Sequence, residues 1–261
     1  MKLAANLSMM FQELPFLERF AAAAQAGFSG IEYLFPYEWA QDDLKTALKD
    51  ADLTQALFNT PPGDWDAGER GLASIPGRES QFRDGIDRAL DYARALGCSR
   101  IHAMAGIPPD DTPKADWRRL MVDNIRHACD AAAPHGVSVL IEPINQRDMP
   151  GFAVSLQEDG ADLIAEVGRP NAALQFDIYH CQIMQGDIIR RFERLRPVIG
   201  HVQIAGVPER HEPDQGEINP NGILQAMAAA GYEGWVGCEY RPAGVTRDGL
   251  GWASAYLTPK A

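Results

Sequence analysis

Short apolar, β-branched runs alternate along this chain with longer amphipathic, Ala-rich stretches. Runs at 2–7, 30–35, 54–58, 100–104, 137–141, 173–176, 199–204 and 235–238 predict strands. Stretches at 13–26, 41–50, 78–96, 116–133, 157–167, 188–195 and 221–230 predict helices. The stretch 78–96 is the strongest. Its Ile86, Leu90, Ala93 and Leu96 recur at three- and four-residue spacing, and Gly97 follows as a C-terminal stop. Strands that alternate with helices pair in parallel through helical crossovers. Eight such units in 261 residues are what one (β/α)8 barrel requires. The expectation is therefore an α/β chain forming a single TIM-barrel domain over residues 1–261. An open doubly wound sheet is the rival, but it carries a Gly-rich turn after its first strand when it binds nucleotides. Here that turn reads Asn6-Leu7-Ser8-Met9-Met10, and no P-loop pattern occurs. The irregular stretch 59–77, rich in Pro and Gly, is too long for a simple connection and is expected to be functional.

Composition narrows the function. The chain carries 24 Lys and Arg against 36 Asp and Glu, a formal net charge of −12. That balance argues against a nucleic-acid partner, whose phosphates demand a basic surface. It leaves a small anionic substrate open, because a pocket can oppose the global sign. No apolar run reaches the roughly 20 residues that span a bilayer, so no membrane partner is expected. Cys98, Cys129, Cys181 and Cys238 lie far apart with no CxxC pair, which predicts free thiols. The N-terminal segment is broken by Gln12 and Glu13 and does not read as a signal peptide. A cytoplasmic protein is expected, and a homo-oligomer is compatible with the sequence.

In a barrel, catalytic groups sit where strands end on the C-terminal face. Four late strands end in metal-capable or acid–base residues: Glu142, Asp177, Gln203 and Glu239. Each is about one strand–helix unit from the next, so neighbouring strands can bring them to one point. Three carboxylates and an amide oxygen make a hard oxygen site suited to Mg²⁺ or Mn²⁺. Without a cation the carboxylates would repel, and at least one would stay protonated. Glu142 and Glu239 can also act as an acid–base pair. One takes a proton from a carbon beside a carbonyl, and the other returns it to the adjacent carbon. A divalent cation would stabilise the enediolate between those steps. No GxSxG motif or Cys-His pairing with family spacing competes with this reading.

Several long motifs carry a resemblance. They are 141–152 (IEPINQRDMPGF), 63–71 (GDWDAGERG), 175–180 (QFDIYH), 200–204 (GHVQI) with 209–213 (ERHEP), and 234–240 (GWVGCEY). In this order they resemble the hydroxypyruvate isomerase family of xylose-isomerase-like barrels, and the resemblance runs from 5–8 to 251–252. It implies a divalent metal at Glu142, Asp177, Gln203 and Glu239, with Glu142 and Glu239 as the acid–base pair. Phe58-Asn59 stands where many hydroxypyruvate isomerases have His-Asn. That feature, 100–106 (RIHAMAG) and 205–211 (AGVPERH) look closer to the 2-oxo-tetronate isomerase branch. The chemistry implied is the same in both branches: an oxo group moves one carbon along a small hydroxy acid.

The remaining candidates concern the substrate. A carboxylate suits the guanidinium fork of Arg70 or Arg210. His180 follows Asp177 closely enough to hydrogen-bond a substrate oxygen. The resemblance places a polar substrate contact at Asp148, and His102 is a further pocket candidate from the fourth strand. Trp65, Phe11 and Phe35 are candidates to exclude water. Alternatives are another sugar or sugar-acid isomerase or epimerase of the same superfamily, an abasic-site endonuclease, and a non-catalytic sugar-acid-binding protein. Low His content and negative charge weigh against the endonuclease.

Overall fold

The computed structural model describes residues 1–258; residues 259–261, the tail of the span expected as one domain, lie outside the described residues. Eight strands form a closed parallel barrel. They are β1 (Lys2–Asn6), β2 (Gly30–Tyr33), β3 (Thr54–Asn59), β4 (Arg100–His102), β5 (Ser138–Ile141), β6 (Ala172–Asp177), β7 (Ile199–Ile204) and β8 (Trp235–Cys238). Closure comes from β1 pairing with both β2, at Ala4↔Gly30, and β8, at Leu3↔Val236. Among the described residues, closure leaves no open edge on this sheet. The helices are α1 (Glu18–Gln25), α2 (Gln41–Ala51), α3 (Glu79–Leu96), α4 (Lys114–Ala132), α5 (Gln157–Val167), α6 (Ile178–Met184), α7 (Ile188–Leu195) and α8 (Pro220–Ala229).

Helix α3 shows how the pattern becomes packing. Phe82, Ile86, Ala89, Leu90 and Ala93 fall on one face and are buried. Gly97 adopts φ 63°, and its N–H bonds back to the last turn, so the helix stops there. Among the described residues, no helix is long and apolar enough to cross a membrane.

Two helices depart from expectation. The first was expected over 13–26 but starts at Glu18, with turns before it. Pro15 disfavours the helical conformation of Leu14, so the apolar pattern runs ahead of the helix. Helix α6 was not expected at all. It is too short to show periodicity, and it exists because Asp177 caps it: Oδ1 accepts from the Tyr179 N–H at 2.6 Å and the His180 N–H at 3.4 Å.

The barrel interior is layered. Ala4, Ala56 and Trp235 form an apolar floor. Above it lie buried polar side chains, among them Asn6, Glu32, Gln175, His201 and Gln203. At the open end, the long segment after β3 is strapped to the segment after β4. Gly71 bridges Ala105, and both the backbone N–H and the hydroxyl of Ser74 donate to the Ala105 carbonyl. Gly71 has φ 119°, and a Cβ there would lie 2.4 Å from the Met104 carbonyl oxygen. Only glycine allows that approach.

The floor leaves no slack. A Cβ on Gly30 would lie 2.5 Å from the Trp235 ring. Gly30→Ala is expected to cost about 1–3 kcal/mol by forcing that ring aside. Thermal unfolding should show it as a fall of roughly 2–4 °C per kcal/mol. An unchanged melting temperature would mean that the floor yields freely.

Candidate active site

Four side chains converge at the carboxyl ends of the late strands. Glu142 follows β5, Asp177 ends β6, His180 lies in α6, and Glu239 follows β8. One ligand atom from each lies within 4.8 Å of the other three, and all four residues are buried. This arrangement can hold a metal ion. Two acceptor oxygens, Glu142 Oε1 and Asp177 Oδ2, are buried with no hydrogen-bond donor. Such orphaned acceptors are costly unless a cation or proton meets them.

The one guanidinium among them is Arg210. Its side chain is 15 % exposed. It bonds Glu239 Oε2 at 2.6 Å and lies 3.8 Å from Asp177 Oδ2 and 3.9 Å from Asp148 Oδ2. Its other face stacks on the Tyr179 ring at 4.8 Å. The Arg210 backbone is left-handed, with φ 58°, a conformation that costs a non-glycine residue about 1 kcal/mol. Hydrogen bonds from Arg210 N–H to the Gly206 carbonyl and from Arg241 N–H to the Arg210 carbonyl hold it there.

The histidines flank Glu142. His102 Nδ1 is 3.4 Å from Glu142 Oε2 and 3.3 Å from Asn59 Oδ1. With two oxygens facing it, Nδ1 carries the proton. Burial pushes the His102 pKa down to about 3, so the ring is neutral near pH 7. His180 Nε2 is 3.6 Å from both Glu142 and Asp177. Its tautomer follows from Asn145. The Asp148 N–H donates to Asn145 Oδ1 at 2.7 Å, which turns the amide NH₂ toward His180 Nδ1, also at 2.7 Å. Nδ1 is therefore the acceptor and Nε2 bears the hydrogen. Burial, then Arg210, holds the His180 pKa well below its ordinary value. In this arrangement His180 offers an N–H to the pocket rather than a metal-binding lone pair.

Other expected site residues are placed more loosely. Gln203 lies in β7, its Oε1 accepting from Gln175 Nε2 at 2.6 Å and its Nε2 donating to Glu32 at 2.8 Å. Asp148 stands at the mouth, 31 % exposed. Arg70 lies in the strap after β3. Its guanidinium stacks on Trp65 at 4.0 Å and donates to the carbonyls of Trp65 and Glu69. Those contacts tie it to its own loop, and Trp65 in turn packs edge-on against Phe35. Phe11 is buried in the core and donates its backbone N–H to the Thr246 hydroxyl.

Sequence reasoning missed Glu32, Asn6 and Asn145. Glu32 is 1 % exposed inside the barrel and bonds His201, Gln203 and Asn6. A signal existed: it is a lone acid within the otherwise uncharged β2. Asn145 orients His180, and nothing in the sequence marks that role.

Electrostatics follows from burial. Burial raises the Glu142 carboxyl well above the usual range, and neighbouring Glu239 and Asp177 raise it further. Burial lifts Asp177 to about 6 and Glu239 to about 8, with Arg210 opposing both shifts. Two converging buried carboxyls, a nearby N–H donor and a cation-capable centre suit proton transfer beside a carbonyl.

Comparison with known proteins places this geometry in a class. Residues 20–256 match the xylose isomerase-like TIM barrel family, and the chain belongs to it. It is an isomerase. The 2-oxo-tetronate isomerase of Cupriavidus necator is 55% identical over 256 residues, covering 98% of each chain. The hydroxypyruvate isomerase of Escherichia coli K12 is 43% identical, covering 98% of this chain and 99% of that one. The crystal structure of AP endonuclease, family 2, from Brucella melitensis matches with a TM-score of 0.97 at 51% identity. That match covers 99% of this chain and 100% of the other.

The raised carboxyls have a consequence for stability. A carboxyl whose pKa is higher in the folded protein favours folding while it is protonated. The contribution is full below the unfolded value near pH 4. It is lost as pH rises through about 6 for Asp177 and about 8 for Glu239. In chelator, the melting temperature is expected to fall between about pH 5 and about pH 8, and a divalent cation should restore it at the upper end. A chelated protein whose melting temperature is flat across that window would contradict the assignment.

Proposed function

We propose that this isomerase moves a carbonyl one carbon along a small hydroxy-oxo acid. Its reaction is the interconversion of 2-oxo-tetronate and 3-oxo-tetronate, with hydroxypyruvate and tartronate semialdehyde as the shorter pair. The observation that carries this reading is the buried approach of Glu142 and Glu239 to within 4.8 Å of one another and of Asp177. The four-carbon preference is supported by the higher identity to the Cupriavidus necator relative than to the Escherichia coli one.

Glu239 is the base in the forward direction: burial lifts its carboxyl to about 8, but the Arg210 guanidinium bonded to it at 2.6 Å opposes that shift and stabilises the anion, a bond that Glu142 lacks. It removes the proton from the carbon beside the carbonyl. Glu142, with no guanidinium bonded to it, holds its proton and delivers it to the former carbonyl carbon. The hydroxyl hydrogen passes to the former carbonyl oxygen, so the product is an isomer; Glu239 is left protonated and Glu142 ionised, and proton exchange with solvent after product release restores the pair. His180 Nε2–H donates to a substrate oxygen, and its tautomer is held by Asn145. The substrate carboxylate is met by Arg210, since Arg70 is tied to its own loop, and Asp148 contacts a substrate hydroxyl. His102 steadies Glu142 through Nδ1. Glu142, Asp177, Glu239 and Gln203 would hold a divalent cation, Mg²⁺ or Mn²⁺, as their hard oxygen atoms favour. When bound, it would supply positive charge that stabilises negative charge developing on the substrate oxygens. The protein acts on free small molecules rather than nucleic acid, in keeping with a net charge of −12. Four buried free thiols support a cytoplasmic setting.

Turnover of 2-oxo-tetronate and of hydroxypyruvate should be followed with and without chelator. Glu142→Gln is expected to lose about 10²–10⁴-fold in kcat while remaining folded. Full activity in that variant would remove Glu142 from the mechanism. Turnover undiminished by chelator would remove the cation. Cleavage of abasic DNA would favour an endonuclease instead.

A further inference from the structure

Apart from Gln203, the buried polar layer beneath the site is not used by the mechanism, yet it meets the proposed acid–base pair at one atom. Asn6, at the end of β1, is 1 % exposed. Its Oδ1 accepts from the Ser8 backbone N–H at 3.1 Å. That bond settles the amide's orientation, so the NH₂ faces inward. The two hydrogens then serve two carboxylates: Nδ2 is 3.1 Å from Glu32 Oε1 and 3.3 Å from Glu239 Oε1. Glu32 is fixed independently. His201 Nε2 lies 2.8 Å from Oε2, and Gln203 Nε2 donates to Oε1 at 2.8 Å. His201 Nδ1 has no partner, so Nε2 bears the ring proton and donates. Gln203 is oriented from its other end by Gln175.

Space for Glu32 is supplied by the strand that leads to Glu239. A Cβ on Gly237 would lie 2.2 Å from Glu32 Oε2. Glu32 therefore lies against β8 two residues before the proposed base.

We propose that Asn6, anchored on Glu32, is a positioning residue that aims the Glu239 carboxylate. The same Glu32 also sets which end of the Gln203 amide is oxygen, so one buried acid orients two groups of the site from below. Arg210 holds Glu239 Oε2 from above, and Asn6 holds Oε1. The carboxylate plane is defined by those two donors. Groups that orient a ligand or base in this manner typically contribute tenfold to a hundredfold in activity or metal affinity.

This inference rests on the proposed role of Glu239, and the test separates the two. Asn6→Ala, Asn6→Asp and Glu32→Gln are compared with wild type in two assays: turnover of 2-oxo-tetronate, and Mn²⁺ affinity by calorimetry. Thermal unfolding verifies that each is folded. Asn6→Ala is expected to lower kcat about tenfold to a hundredfold while KM stays within about threefold. Asn6→Asp keeps the shape but turns an oxygen toward two carboxylates, so it should fall below Asn6→Ala. A spacer role predicts the reverse order. Mn²⁺ affinity should fall about tenfold in Asn6→Ala, and the same change should add nothing in a Glu239→Gln background. Glu32→Gln should share the phenotype of Asn6→Ala. Asn6→Asp at or above Asn6→Ala in both assays would overturn the proposal. So would an Asn6→Ala effect that persists without Glu239. If wild type turns over no oxo acid, the proposed function fails, and the Mn²⁺ measurements alone decide the positioning role. If Asn6→Asp does not fold, Asn6→Ala and the double variant decide it.

Discussion

Glu142, Asp177 and Glu239 are buried together, and much of the molecule serves to make that tolerable. Like charges in a water-poor interior repel strongly, and burial alone penalises each of them. The protein offsets this with a single bonded guanidinium, Arg210, and with proton uptake reflected in the raised carboxyl pKa values. Two oxygens remain without donors. The site is thus held in a state that a divalent cation or a substrate proton relieves. That tension is the physical basis for proposing proton transfer here.

The barrel makes the convergence rigid. Each acid comes from a different strand, and the closed ladder fixes the relative heights of the strand ends. Beneath the carboxyls, the interior changes from apolar floor to hydrogen-bonded polar layer within a few residues of chain. Glycines at positions 30 and 237 admit Trp235 and Glu32 respectively, which a larger residue would displace. Above the carboxyls, the strap formed by the long segment after β3 is bonded to the segment after β4. Arg70 and Trp65 belong to that strap and not to the barrel end.

Amide orientation decides chemistry at several points. His180 lies within metal-ligating distance of the carboxylates, yet Asn145 makes it a donor at Nε2. Asn145 is oriented by Asp148, so a residue expected to touch substrate also acts through a neighbour. Likewise, Ser8 orients Asn6 and Gln175 orients Gln203. Sequence spacing cannot reveal such orientations, because they depend on groups brought together from distant parts of the chain.

Much of the fold was legible because hydrophobic periodicity is local. The strands at 199–204 and 235–238 and the helices at 157–167 and 188–195 match their expected bounds. Glu142, Asp177 and Glu239 were legible as well, because each ends an apolar run that could be counted. The misses have physical reasons. Pro15 delays α1, and α6 depends on a side-chain cap rather than on periodicity. Glu32 lies inside a strand rather than at its end, so a search for terminal acids passes over it. The alternation of elements, the acids at the strand ends and the overall charge depend on neighbours along the chain, and so could be read from it directly. That Arg210 bonds Glu239, that Arg70 stays in its loop and that Asn6 and Glu32 lie beneath the site emerged from the folded barrel alone. Those contacts join residues far apart in the chain, and only barrel closure brings them together.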